Sequence, residues 1–231
     1  SLDTTNLNRL KEPLTSVGLP KTELAARQLY EVDPFVKIHL FNNGLNPDNL
    51  TKFLSNPKID VILDEIDDFK MKCQIRITAR RLKIPVIMAT NIGDGVLIDV
   101  ERYDQSENIK IFNGLAGKVP TEIIESNNIT EDDVKKYAIK LVGQEYVPLR
   151  ALQSLKEINK TLNGRPQLYA SLSVSAGLVT YVVRKILLNQ ELNSGRYFLK
   201  FENVFKIRSK EYADNDQRHK ILNTLIPEAP S

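Results

Sequence analysis

The sequence predicts an α/β protein whose sheet is mostly parallel and flanked by helices, with a more helical second half. Three observations carry that expectation. Helical patterns over 20–32, 47–54 and 69–82 alternate with strand patterns over 35–41, 59–63 and 84–89. The runs 59–63 and 84–89 are compact and apolar, as in strands covered on both faces. Strands separated by helices require crossovers, and crossovers make neighbouring strands parallel.

Each element has its own signal. Gly18 and Pro20 mark the start of the first helix, and Leu24, Ala25, Leu29 and Val32 give it an apolar face. Asp33-Pro34 ends it, because a residue before proline avoids the α region. Residues 35–41 alternate as a strand, and Asn42-Asn43-Gly44 is a turn. After 84–89 the pattern becomes helical over 120–126, 130–141 and 148–162. The helix at 130 opens on Thr130-Glu131-Asp132-Asp133, a threonine cap with acidic residues at the positive helix end. Gly164-Arg165-Pro166 breaks the chain before a long helix over 167–188. A late strand is expected over 197–201, and a polar, frayed tail from Lys210 onward. The expected organisation is a nucleotide-binding half over 1–104, an extension over 105–209 that completes the same domain, and a tail over 210–231.

Composition narrows the function classes. Of 231 residues, 42% are hydrophobic and 26% charged, which is ordinary globular composition. The balance of 32 basic against 29 acidic residues gives no argument for a nucleic-acid partner. Cys73 is the only cysteine, which excludes an intrachain disulfide and a four-cysteine zinc site. His39 and His219 lie far apart, so a histidine metal cluster is not expected. The low cysteine count fits a reducing compartment, and a cytoplasmic location is expected. The chain opens on Ser-Leu-Asp with no signal peptide and no Met, as a processed or truncated piece would. The longest apolar stretch, 168–188, is interrupted by Ser171, Ser173, Ser175, Thr180, Arg184 and Lys185. It reads as a buried core helix and not as a membrane span.

Four motifs bear on chemistry, all in the first half. In Asn6-Leu7-Asn8-Arg9, an amide and a guanidinium three residues apart can reach one anion, although a solvated loop arginine looks the same. In Gly18-Leu19-Pro20-Lys21, a lysine opens a helix whose dipole repels it. A bound polyphosphate would reverse that penalty, and a plain surface lysine is the alternative. Asp64-Glu65-Ile66-Asp67-Asp68 places four carboxylates at the end of a buried strand, where open parallel sheets bind ligands. A magnesium ion would relieve their repulsion, and helix capping by Asp67 or Asp68 is the alternative. Gly93-Asp94-Gly95 reads as a loop at the same sheet edge, or simply as a tight turn.

Read in order, these residues resemble the ThiF/MoeB/HesA and ubiquitin-activating superfamily. The resemblance rests on Asn6-Leu7-Asn8-Arg9, Gly18 to Lys21 with Ala25 and Ala26 following, and Asp33-Pro34-Phe35-Val36. It continues through Asp64-Glu65-Ile66-Asp67 and Ile84-Pro85-Val86-Ile87, and so covers about residues 1 to 104. Asp99-Val100-Glu101-Arg102-Tyr103 resembles a divergent, zinc-free bacterial branch. The resemblance implies a Rossmann-like fold and a reaction in which a carboxylate attacks the α-phosphorus of ATP, giving an acyl-adenylate and pyrophosphate. It implies that Asn6, Arg9 and Lys21 contact the triphosphate and that Asp67 holds Mg2+. Lys72 stands where the family often has Arg, as a further cofactor contact, and Arg76 where it often has Asn. Arg9, Lys21 and Asp67 are thereby the implied catalytic set. Relatives form dimers, so a homodimer is expected. The substrate implied is a carboxylate, such as the C-terminus of a ubiquitin-like protein or peptide.

Departures from the pattern set further expectations. The glycine-rich G-x-G-x-x-G loop and the ribose-binding acid are not found in the 231 residues, so this stretch alone is expected to be catalytically incomplete. With no cysteine after Asp104, no thioester is expected. Cys73 is expected to face the core of its helix. The readings that remain are an adenylating enzyme, a degenerate binding subunit of the same fold that pairs with an active partner, and, third, a nicotinamide-dependent oxidoreductase. The last suits Arg9, Lys21 and the acidic cluster least.

Overall fold

The computed structural model describes residues 1–117, 131–207 and 211–225. The chain forms two compact units, Ser1–Asn46 and Pro47–Ser231. The helix expected over 120–126 lies outside the described residues.

The first unit holds short 3-10 turns at Thr4–Asn6 and Leu14–Ser16 and the helix α1, Lys21–Val32. Helix α1 buries Leu24 and Ala26 and stops at Asp33, whose φ of −140° is the extended conformation that the following proline demands. The strand expected over 35–41 does not form. Phe35 is 90% exposed and the segment joins no ladder. Alternation says only that a segment would suit a half-buried sheet, and a strand exists only where a partner backbone completes its hydrogen bonds.

The second unit carries α2 (Pro47–Ser55), β1 (Ile62–Leu63), α3 (Phe69–Leu82), β2 (Val86–Ile92) and β3 (Gly95–Glu101). It continues with α4 (Glu131–Val142), α5 (Leu149–Glu157), α6 (Tyr169–Leu187), β4 (Gly195–Lys200), α7 (Phe201–Phe205) and α8 (Asn215–Leu225). The strand order is β1-β2-β3-β4. Strand β1 runs parallel to β2 with Leu63 opposite Ile87, joined by the right kind of crossover, helix α3. The expectation of a mostly parallel sheet needs correction here, because β2–β3 and β3–β4 are antiparallel. The cause is the Gly93-Asp94 connection, which is two residues long. A connection that short can only make a hairpin. Glycine is required at position 93: its φ is +52°, and a Cβ there would lie 2.7 Å from Pro148 Cγ. The α/β class itself holds, and the architecture is that of a Rossmann-like fold.

Both faces of the sheet are covered. On one, Ile87, Val96, Ile98 and Val100 pack against Val179, Val182 and Ile186 of α6. On the other, Ile92 and Leu97 pack against Val147, Leu152, Ile221 and Leu222. Residues 211–225, expected as part of a polar tail, instead supply α8. Its Ile221 and Leu222 are buried, and its buried Arg218 donates to the Gln144 carbonyl at 2.6 Å. A few apolar residues at helical spacing suffice for such packing even where average polarity is high. Helix α6 was expected as a buried core helix, and it is covered on one face. It buries the stripe Ser171, Ser175, Val179, Val182 and Ile186, while Tyr169, Tyr181 and Leu187 remain about half exposed.

Candidate functional site

In the first unit the backbone does the positioning. Leu2 N donates to Leu19 O at 2.8 Å, and Gly18 N donates to Leu2 O at 2.9 Å. Gly18 takes a φ of +90°, which glycine adopts without steric cost. These bonds tie the turn bearing Asn6 and Arg9 to the start of α1, where Lys21 is the first residue. Asp3 closes the turn reciprocally: its carboxylate accepts from Thr5 N at 2.8 Å, and its own N–H donates to Asn6 Oδ1 at 3.3 Å. Asn6 is therefore buried and engaged in capping. Hydrogen bonds from Thr5 hold the Asp3 carboxyl below its usual range, with a smaller contribution from the Lys21 charge. Arg9 Nη1 donates to Thr5 O at 2.9 Å and to Asn8 Oδ1 at 3.2 Å. Both bonds use Nη1, so the Nε and Nη2 edge of the fork stays available. Lys21 is exposed at the N-terminus of α1.

In the second unit the acidic segment separates into four different roles. Asp64 is buried and neutralised, its Oδ1 3.0 Å from Lys72 Nζ and its Oδ2 2.5 Å from Arg76 Nη1. Burial pushes its pKa up, but Arg76 and Lys72 outweigh that and hold it below the usual carboxylate range. Glu65 Oε1 accepts from Ala89 N at 3.3 Å. Asp68 is the N-cap of α3 and accepts from Met71 N at 3.0 Å. Asp67 is exposed and makes no hydrogen bond or ion pair among the described residues. The mutual repulsion that the sequence suggested is thus relieved by protein groups at Asp64 and Asp68, and Asp67 is left facing solvent. No group of three or more His, Cys, Asp or Glu able to hold a metal occurs among the described residues. A magnesium ion does not require one, since one or two carboxylates with water and phosphate oxygens complete its shell. Asp67 fits that donor set.

A protein-family model described as the ThiF family matches residues 1–219. This chain belongs to the ThiF family. It is similar to an uncharacterized protein, MT1398, of Mycobacterium tuberculosis, with 34% identity over 195 residues that make up 84% of this chain and 26% of that protein. It is also similar to the tRNA threonylcarbamoyladenosine dehydratase of Escherichia coli, with 26% identity over 60% of this chain and 51% of the enzyme. The molybdopterin-synthase adenylyltransferase of Haemophilus influenzae is 24% identical over 71% of this chain and 65% of the enzyme. The chain therefore spans between 26% and 65% of the length of these curated relatives.

Within this ThiF-family chain, one arrangement was not visible in the sequence. Arg76 is fully buried on α3 and bridges two carboxylates, Asp64 at the end of β1 and Glu101 at the end of β3, the latter at 2.7 Å from Nε. Its guanidinium lies 4.0 Å from the centroid of the Phe112 ring. Glu101 Oε1 in turn accepts from Tyr103 OH at 2.5 Å and from Phe112 N at 2.6 Å. Phe112 and Asn113 both take positive φ, 52° each. That conformation is unfavourable for residues with a Cβ, and the Glu101 and Arg76 contacts hold it. The sequence signals that touch this network were the departure at position 76 from the asparagine that the resemblance leads one to expect and the stretch Asp99 to Tyr103, and neither showed the pairing. Glu101 lies 25 residues beyond Arg76, and no local pattern reveals such a pairing. Cys73, by contrast, faces the core as expected, packed among Phe69, Met88, Phe112, Ala116 and Leu141. Burial pushes its thiol up to about 12.

Proposed function

We propose that this chain belongs to an adenylate-forming domain that activates a carboxylate with ATP and forms no thioester on itself. The observation that carries the reading is Asp67, a carboxylate at the carboxyl end of β1 left without a protein partner while its three acidic neighbours are engaged. In this reading Asp67 holds Mg2+, which supplies charge neutralisation for the phosphates. Arg9, through its open fork edge, and Lys21, at a helix N-terminus, bind triphosphate oxygens. Asn6 contributes by fixing the turn that presents Arg9. Cations bound to those oxygens stabilise the charge that develops as pyrophosphate leaves and the carboxylate oxygen bonds to the α-phosphorus. Similarity to the Haemophilus influenzae molybdopterin-synthase adenylyltransferase supports this class.

The substrate we propose is the C-terminal carboxylate of a protein or peptide, including a ubiquitin-like protein, in the cytoplasm. We further propose a homodimer, supported by the half-exposed apolar face of α6. Pyrophosphate exchange with the full-length protein across candidate carboxylates tests the activity. Magnesium-dependent exchange is expected, and Asp67→Ala is expected to abolish it while leaving the fold intact. Exchange with unchanged magnesium dependence in Asp67→Ala would remove the metal assignment.

One observation favours a second reading, a non-catalytic binding subunit of the same fold. Lys72, implied as a triphosphate contact, is already paired with Asp64 at 3.0 Å. Full-length protein that binds Mg-ATP yet supports no exchange with any carboxylate would favour that reading.

A further inference from the structure

Lys72 is the residue that the buried charges control. Its side chain is 14% exposed, and its ammonium is held 3.0 Å from Asp64 Oδ1. Among the described residues its ammonium meets only one other side-chain acceptor, the Met88 sulfur at 3.6 Å. An ammonium has three N–H donors, so donor capacity remains for an anion. A lysine stem rotates about four bonds, and only a fixed partner gives its head a fixed position.

That partner is itself fixed. Asp64 N donates to Ile87 O at 2.8 Å, which seats the residue at the end of the β1–β2 ladder. Its second oxygen accepts from Arg76 Nη1, so both carboxylate oxygens are tied and the group has little rotational freedom. Arg76 is anchored from the far side by Glu101 and Phe112 and also donates from Nη1 to the Lys72 carbonyl at 3.2 Å. Lys72 and Arg76 are four residues apart on α3, so one carboxylate addresses both from the same helix face. Stability alone is a poor reason for such a network. Buried ion pairs can often be replaced by apolar residues of similar volume without loss.

We propose that Asp64 and Arg76 are positioning residues that act through Lys72, holding its ammonium at the carboxyl end of β1 as an anchor for a polyphosphate. Glu101 and Phe112 brace Arg76 and connect the anchor to the segment that follows β3. This rests on the nucleotide-binding reading above.

The test is a double-mutant cycle on the full-length protein, with Mg-ATP binding followed by titration calorimetry, which reports affinity and binding-competent fraction separately. Lys72→Met and Asp64→Asn are each expected to raise Kd by about tenfold or more, the worth of one charge-assisted hydrogen bond. The double variant is expected to bind no worse than Lys72→Met alone, because Asp64 has no other route to the nucleotide. A merely structural role would lower the binding-competent fraction and leave Kd unchanged. Multiplying penalties, or a changed fraction at constant Kd, overturn the positioning role while the nucleotide reading stands. Wild-type protein that binds no Mg-ATP overturns both. If Asp64→Asn does not fold, Arg76→Lys carries the same test, since it keeps a cation between the carboxylates but loses the fork. A wild-type Kd in that variant overturns the proposal.

Discussion

Asp64 holds two cations on one carboxylate, and the consequences can be measured. Its pKa in the folded protein is depressed, so its contribution to stability is present above about pH 4, the unfolded value, and is lost as pH falls through the folded value. Glu101, pushed up by burial, contributes with the opposite sign. Urea unfolding between about pH 2 and 6 should therefore show a smaller acid-dependent loss in Asp64→Asn than in wild type, and identical slopes would refute the assignment. Arg76→Met leaves two carboxylates buried without their shared cation and should cost about 3–5 kcal/mol. Equilibrium denaturation reads that cost directly, and a loss under 1 kcal/mol would mean that water or a neighbour compensates. Cys73, with its thiol pushed up to about 12, should resist iodoacetamide at pH 8 in the native state and react only as the protein unfolds. At this scale the sequence was partly legible. Position 64 stood out as one of four adjacent acids and Cys73 as a core residue. Which acid would be neutralised depended on Arg76 and Glu101, which meet only through the fold.

Elements were legible where local chemistry decides them. Helix α3 spans Phe69–Leu82 as the sequence predicts, because Asp68 caps its start and Lys83, at a φ of 56°, ends it. Helix α1 likewise ends at Val32, with Asp33, the residue before Pro34, as its extended C-cap. Where a distant partner decides, the pattern failed. Residues 35–41 had the alternation of a strand but no ladder, while β3 was missed altogether. All seven residues of β3 are buried, but Asp99 and Glu101 interrupt its apolar run, so it lacks the compact pattern that marked 59–63 and 84–89. Helix α8 was hidden by its polar average. It predicts its own test: Leu222→Ala should cost about 2–5 kcal/mol, as a buried leucine does. A melting temperature equal to wild type would show that α8 is not part of the core.

The whole molecule presents a sheet covered on both faces and a long helix, α6, covered on one. Its outward side carries Tyr169, Tyr181 and Leu187 around the small residues Ala170, Ser173 and Gly177. If a second copy covers that side, sedimentation of full-length protein should show a dimer at low micromolar concentration, and Gly177→Glu should dissociate it. A wild-type monomer under those conditions would exclude the homodimer. The sheet also has an order of assembly written into it. Strands β2 and β3 are joined by two residues and can pair within microseconds. Strand β4 must return from far along the chain, as the Arg196–Asp99 pair shows by spanning 97 residues. At about 5–20 residues per second, that stretch takes a ribosome roughly 5–20 s to make. Throughout that interval the outer edge of β3, apolar and unpaired, waits open on the nascent chain. The hazard of this fold in a cell is therefore greatest during its own synthesis, when chaperone capture competes with aggregation, and ends when β4 closes the edge.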